Sequence, residues 1–142
     1  MSELRQRAIR LLARREHTRI ELARKLAPYG SGEEIETVLN DLTQAGLQSD
    51  ARFAESYVRS HAARLGAVRL RQTLRTKGVA GELIAAQVVE LPDEVGRARD
   101  LWQRKYGVVP VDSRDWAKQA RFLQGRGFSV ETIRAVLKEV EA

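Results

Sequence analysis

Between Glu55 and Glu82 the chain has no acidic residue, yet it carries Arg59, Arg64, Arg69, Arg71, Arg75 and Lys77. Cations without compensating carboxylates attract phosphates or acidic protein surfaces, and they act as a field rather than as a reactive centre. Reactive chemistry finds little to use elsewhere. The two histidines, His17 and His61, have no acidic or hydroxyl partner at a recognisable spacing. His17 follows Arg14-Arg15-Glu16, where an interaction with a helix C-terminal dipole is expected. The carboxylate pairs Glu33-Glu34 and Asp93-Glu94 stand at helix starts, where the macrodipole favours negative charge. The GSGEE run at residues 30–34 lacks both the lysine and the preceding strand of a phosphate loop. No cysteine is present, so thiolate catalysis, disulfides and cysteine-ligated metal are excluded. We expect no catalytic residue, no metal and no cofactor.

The elements that must carry these cations are helices. The first runs from Glu3 to about Arg15, with Leu4, Ala8, Leu11 and Leu12 on one face. Thr18 and Glu21 form a capping-box pattern for the second, which carries Leu22 and Leu26 and ends before Pro28 and Gly30. Ser31 and Glu34 repeat the box for a third helix that buries Ile35, Val38, Leu39 and Leu42 and closes at Gly46. Ser49 or Asp50 caps the next helix. In the cationic stretch, Phe53, Tyr57 and Val58 share one helical face and Leu70 and Leu74 another, with a break at Gly66 and a stop at Lys77-Gly78.

The pattern is a repeat. Leu26, Leu74 and Leu123 each precede a glycine by four residues (Gly30, Gly78, Gly127), and a helix of constant apolar spacing follows each time. Those helices carry Ile35-Val38-Leu39-Leu42, Ile84-Gln87-Val88-Leu91 and Ile133-Val136-Leu137-Val140. The repeat length is 48 residues, then 49. The third repeat opens after Pro92, with Asp93 and Glu94 in its first turn and Leu101, Trp102 and Tyr106 on its buried side. After the loop at residues 107–113 come a helix with Trp116, Ala120 and Leu123 and a last one capped by Ser129. No segment alternates as a strand would. The expected fold is all-α: three tandem three-helix, helix-turn-helix-like modules at residues 1–47, 48–92 and 93–142, stacked as an elongated, curved array because each is near the lower limit for an independent core.

The net charge is +6 with a pI near 10.2. Cations outnumber acids by 8 to 7, 7 to 4 and 10 to 8 in the three modules, so the middle one is the most basic. Nucleic acid is the commonest partner of such a chain. The third helices of the modules are nevertheless poor base readers, the first being acidic and the second having no cation; only the last, with Arg134 and Lys138, is suited to approach DNA, and contact with the DNA backbone is expected in place of sequence readout. The aromatic residues sit at core spacing, with Arg52 beside Phe53 and Arg121 beside Phe122. The N-terminal MSELRQRAIRLLARREH has no signal-like apolar core, and no run approaches the roughly 18 apolar residues of a membrane span. A soluble, cytoplasmic protein, monomeric and without membrane contact, is expected.

Four segments in order resemble the RecX family of bacterial regulators of the RecA recombinase. They are ELARKL at 21–26, D-x-RFAxSYVR at 50–59, L-R-x-K-G from Leu74 to Gly78, and RFLxxRGF at 121–128 followed by Ile133 and Leu137. One departure is Gly66-Ala67, where many relatives have Gly-Pro, a change expected to loosen that turn. The resemblance implies a non-enzymatic protein of three repeated three-helix modules. It implies binding to RecA and its nucleoprotein filament in the filament's groove, and restraint of filament growth, ATP hydrolysis, strand exchange and SOS-repressor cleavage, although some members assist filament handling. It also implies nonspecific contact with single- and double-stranded DNA. The residues expected to carry RecA or DNA binding are Arg52, Arg59, Arg64, Arg69, Arg71, Arg75 and Lys77, with Arg121 and Arg126 as their C-terminal counterpart. The competing expectation is a nonspecific, architectural DNA-binding protein that works without RecA.

Overall fold

Hydroxyl caps set most helix starts, as the side-chain oxygen takes one of the amides that have no partner within the helix. In the computed structural model, which describes residues 2–141, α1 spans Glu3–Arg14 and is capped by Ser2. Both expected capping boxes form: Thr18 with Glu21 opens α2 (Arg19–Leu26), and Ser31 with Glu34 opens α3 (Gly32–Gln44). α2 ends at Leu26, before Pro28 as expected, and proline fits the first turn of the short helix that follows. The chain continues through a 3-10 turn at Ala27–Tyr29. The remaining helices are α4 (Asp50–His61), α5 (Ala67–Thr76), α6 (Gly81–Val89), α7 (Glu94–Lys105), α8 (Ser113–Gly125) and α9 (Val130–Glu141). There is no strand among the described residues, so the fold is all-α. α6 ends two residues short of Leu91, since Pro92 disfavours helix in the residue before it.

By packing, the described residues sort into two units. One contains the chain up to Tyr57 together with Leu74–Ala85. Its core is Leu4 and Ala8 of α1, Leu22 and Leu26 of α2, and Ile35, Val38, Leu39 and Leu42 of α3. Leu11 and Leu12 stay half-buried at its margin. Ser49 caps α4 through the Arg52 amide, while Asp50 accepts from the Arg19 amide of α2 and from Gln48 Nε2. The alternative cap residue therefore serves a different helix.

The other unit contains Val58–Thr73 and the chain from Ala86 onward. Ala98, Leu101 and Trp102 of α7, Leu123 of α8, Phe128, and Ile133, Val136 and Leu137 of α9 form its core. The side chain of Val140 lies outside the described residues. The Trp102 indole donates to Gln119 Oε1 at 2.6 Å, and Gln119 Nε2 donates to the Val108 carbonyl at 3.2 Å. This ties α8 to the loop that precedes it. The turn at Gly66-Ala67 is fastened rather than loosened: the Ala67 amide, which a proline there would lack, donates to Glu94 Oε1 at 2.7 Å.

One contact recurs at the spacing of the repeat. In the first unit Thr18 Oγ1 donates to the Lys77 carbonyl at 2.7 Å, and Gly78 lies against Ile20. In the second the Gly66 amide donates to the Arg126 carbonyl at 2.8 Å, and Gly127 lies against Arg69. Thr18 and Gly66 are 48 residues apart and their partners 49, which matches the two repeat lengths. Gly78 and Gly127 have φ of 90° and 89°, a left-handed conformation that glycine adopts without strain.

Candidate partner interface

The cations expected to bind a partner divide by what their guanidinium or ammonium groups already hold. Arg52 is engaged: its Nε pairs with Glu16 at 2.9 Å and its Nη1 donates to the Gly46 carbonyl at 2.7 Å. Lys77 pairs with Glu21 at 3.4 Å and lies 5.9 Å from the Phe53 ring centre. Arg69 donates to the Gly125 carbonyl at 2.9 Å, next to the Gly127 turn. Arg126 lies over Phe122 at 5.1 Å, a cation–π contact that leaves part of it in solvent. Arg64 makes one long contact, 3.5 Å, with the Ser60 carbonyl on its own helix turn. Arg59 is exposed and has interactions of its own.

Arg71, Arg75 and Arg121 are different. All three are exposed and have no hydrogen bond or ion pair among the described residues. Arg71 and Arg75 are four residues apart on α5, so they project from one side of that helix. On α8 and α9, Arg114, Lys118, Arg134 and Lys138 share this exposed, unpaired state. Local charge density does not distinguish these cations; partners distant in sequence do.

Of the aromatic residues, Phe53 and Trp102 are buried, and Tyr57, Trp116 and Phe122 are half-buried. Phe53 stacks on Tyr57 at 6.2 Å, and Tyr106 meets Phe122 edge-on at 5.7 Å. Ring faces are thus largely taken by the protein itself.

His17 departs from expectation. It does not lie at an exposed helix end, where the dipole would favour its cation; the residue is only 2% exposed. The Thr18 hydroxyl on the Lys77 carbonyl, and Gln48 Nε2 on the His17 carbonyl, draw this loop inward. His17 Nδ1 lies 3.0 Å from the Arg15 carbonyl, which only accepts, and Nε2 lies 3.2 Å from the Lys25 ammonium, which only donates. The ring is therefore neutral, with its proton on Nδ1. Burial pulls its pKa below the ordinary 6.5, against the Arg15 carbonyl hydrogen bond and the Glu21 charge, and the Arg15 and Lys25 charges pull the same way. An unfolded chain then binds a proton near pH 6 that the folded one refuses, so this contribution to stability is complete above 6.5 and is lost as pH falls below it. The urea midpoint is expected to drop between about pH 7.5 and about pH 5.5, and His17→Gln to flatten that slope. An unchanged slope in the variant contradicts this assignment.

Glu21, the N3 carboxylate of the α2 box, sits in the same cluster. Burial works against its charge, but the Thr18 amide, Arg15 and Lys77 outweigh it and hold the carboxyl below its ordinary value. Arg97 was not singled out from the sequence. Its side chain is 10% exposed, and Nη1 donates to the Ala62 and Leu65 carbonyls at 2.6 and 2.8 Å. Its position four residues before Leu101 and one before Ala98, on the buried side of α7, was the available signal. Among the described residues no three His, Cys, Asp or Glu side chains cluster to hold a metal, and no helix is long and apolar enough to cross a membrane.

Comparison with known proteins fits this geometry segment by segment. Residues 5–42, 49–86 and 93–137 match the family models described as RecX, first, second and third three-helix domains. A protein of Leptothrix cholodnii named Regulatory protein RecX is 47% identical over 137 residues, covering 95% of this chain and 87% of that one. One of Herminiimonas arsenicoxydans with the same name is 44% identical over 140 residues, covering 97% and 93%. The crystal structure of RecX from Lactobacillus salivarius superposes with a TM-score of 0.84 at 23% identity, over 98% of this chain and 95% of that one.

Proposed function

This chain belongs to the RecX family, and from that premise we propose that it binds the RecA recombinase on DNA and restrains filament growth. The observation that carries the reading is the match of all three three-helix domains in order, together with relatives named as regulatory proteins. Three domains in tandem offer several weak contacts to neighbouring protomers of a polymer, and linked weak contacts gain strongly from effective concentration. A filament that grows from its end is stopped by few molecules bound there. ATP hydrolysis, strand exchange and repressor cleavage all depend on the filament and fall with it.

Arg71 and Arg75 of α5, with Arg121 of α8, are the cations best placed to meet a partner, because no carboxylate among the described residues pairs with them. Contact with DNA phosphates is sequence-independent and weakens steeply with salt. Arg52, Arg69 and Lys77 are instead held by contacts within the chain, and Arg59, Arg64 and Arg126 add to its positive charge. Reversing Arg71 and Arg75 to glutamate is expected to weaken association by about tenfold or more, as loss of two charge-assisted contacts does, with helicity unchanged. Co-sedimentation with RecA on single-stranded DNA, compared with the same DNA alone, measures this. Equal sedimentation with bare DNA and with the filament supports an architectural DNA-binding protein instead.

A further inference from the structure

Modules that share a sequence pattern place equivalent residues at equivalent points, so their differences are informative. In the first unit the crevice between α2 and α3 is bridged from within: Arg19 Nη2 donates to Glu36 Oε1 and to Asn40 Oδ1, each at 2.8 Å. The repeat, aligned on Leu26 with Leu123 and on Ile35 with Ile133, puts Trp116 at the position of Arg19. It puts Arg134 at the position of Glu36 and Lys138 at that of Asn40. An indole and two cations cannot form that ion pair or those hydrogen bonds, because none of the three offers an acceptor. The crevice between α8 and α9 is accordingly an open groove of about 290 Å³.

Its floor is aliphatic, from Ala117 and Ala120 of α8 and Val130 and Ile133 of α9, and Val130 is 51% exposed. Arg121 stands on one wall and Arg134 on the other, both exposed and unpaired. We propose that this groove docks an acidic segment of a partner protein through one aliphatic or aromatic anchor side chain, with carboxylates on either side of the anchor meeting Arg121 and Arg134. The charge at the crevice has changed from internally neutral to positive, which calls for an anion from outside. Trp116 and Gln124 also line the groove, but four aliphatic side chains make its floor, which suits an apolar anchor better than the polar edge of a nucleobase. The same comparison disfavours a sealed structural crevice, as the pair that seals its counterpart is the one replaced.

This inference rests on the reading of the chain as a regulator that binds a protein, but not on which protein. Its test therefore contains no recombinase. The probe is a dye-labelled synthetic peptide of about 14 residues, leucine at helical spacing and glutamate elsewhere, read by fluorescence anisotropy against the full chain. Saturable binding is expected, weakened at least about tenfold by the Arg121→Glu/Arg134→Glu pair and comparably by Ala120→Leu, which fills the groove and leaves its charge alone. Circular dichroism and the thermal midpoint establish that each variant is folded. A peptide with serine in place of leucine should not bind. Equal affinity for that peptide, unchanged affinity in both variants, or no binding at all overturns the proposal. So does displacement of the peptide by oligothymidylate, which assigns the groove to nucleic acid. Self-association of the chain that the paired substitution abolishes overturns it as well, by assigning the groove to a second copy.

Discussion

Replacing Arg97 by alanine is expected to destabilise the chain by about 3 kcal/mol, because two carbonyls and a carboxylate lose one shared partner. Arg97 serves the Ala62 and Leu65 carbonyls, lies 5.9 Å from the Phe128 ring centre, and has Glu94 at 3.9 Å. Burial lowers its pKa from the ordinary value, opposed by Glu94 and Asp93, yet a guanidinium keeps its charge. Glu94 in turn receives the Ala67 amide and the Thr132 hydroxyl, at 2.7 and 2.8 Å. The two residues thus fasten the turn before α5 and the start of α9 to α7. Arg97→Lys should recover less than half of the loss, since an ammonium on a shorter reach cannot supply the same planar donors. Urea unfolding reads this, with Arg114→Ala, an exposed and unpaired arginine, as a control expected within about 0.5 kcal/mol of the parent. A loss below about 1 kcal/mol for Arg97→Ala would mean that water serves those carbonyls equally well.

The second large effect is expected at Gly127. Its φ of 89° disfavours any side chain, and an added Cβ would fall on the Arg69 Cβ, with the Arg69 nitrogen at 2.6 Å and Cα at 2.9 Å. Backbone cannot rotate away as a side-chain tip can. Gly127→Ala should therefore lose about 3 kcal/mol or more and uncouple the Gly66–Arg126 and Val68–Gly127 hydrogen bonds. Gly78→Ala, whose added Cβ meets the movable side chain of Ile20, should lose less. Gly125→Ala meets nothing within 4 Å in the last turn of α8 and should be neutral or slightly stabilising. A Gly127→Ala variant as stable as Gly125→Ala would show that the close approach of this turn is dispensable.

What the sequence revealed and what it concealed follows from the range of the interactions. Caps act within three residues, so the Thr18–Glu21 and Ser31–Glu34 boxes were legible, as was the leucine-to-glycine repeat that orders the helices. Pro92 ended α6 earlier than its apolar spacing suggested, a local rule overriding a periodic one. The burial of His17 was not legible, because it depends on Thr18 reaching Lys77, 59 residues away, and on Gln48, 31 residues away. The candidate interface has the same limit. Arg52, Arg69 and Lys77 resemble Arg71 and Arg75 in sequence, and only contacts 36 to 56 residues distant tell them apart. The role of Ala67 was misread for a related reason: the amide that proline would remove finds its acceptor in Glu94, 27 residues on.

The central claim, a regulator directed at RecA filaments, is tested most directly by RecA's hydrolysis of ATP on single-stranded DNA as this protein is titrated in. The account predicts loss of hydrolysis at a small fraction of the recombinase concentration, with Arg71→Glu/Arg75→Glu shifting the curve to higher protein. Hydrolysis that persists at equimolar protein, or that falls only once the DNA itself is saturated, would contradict it.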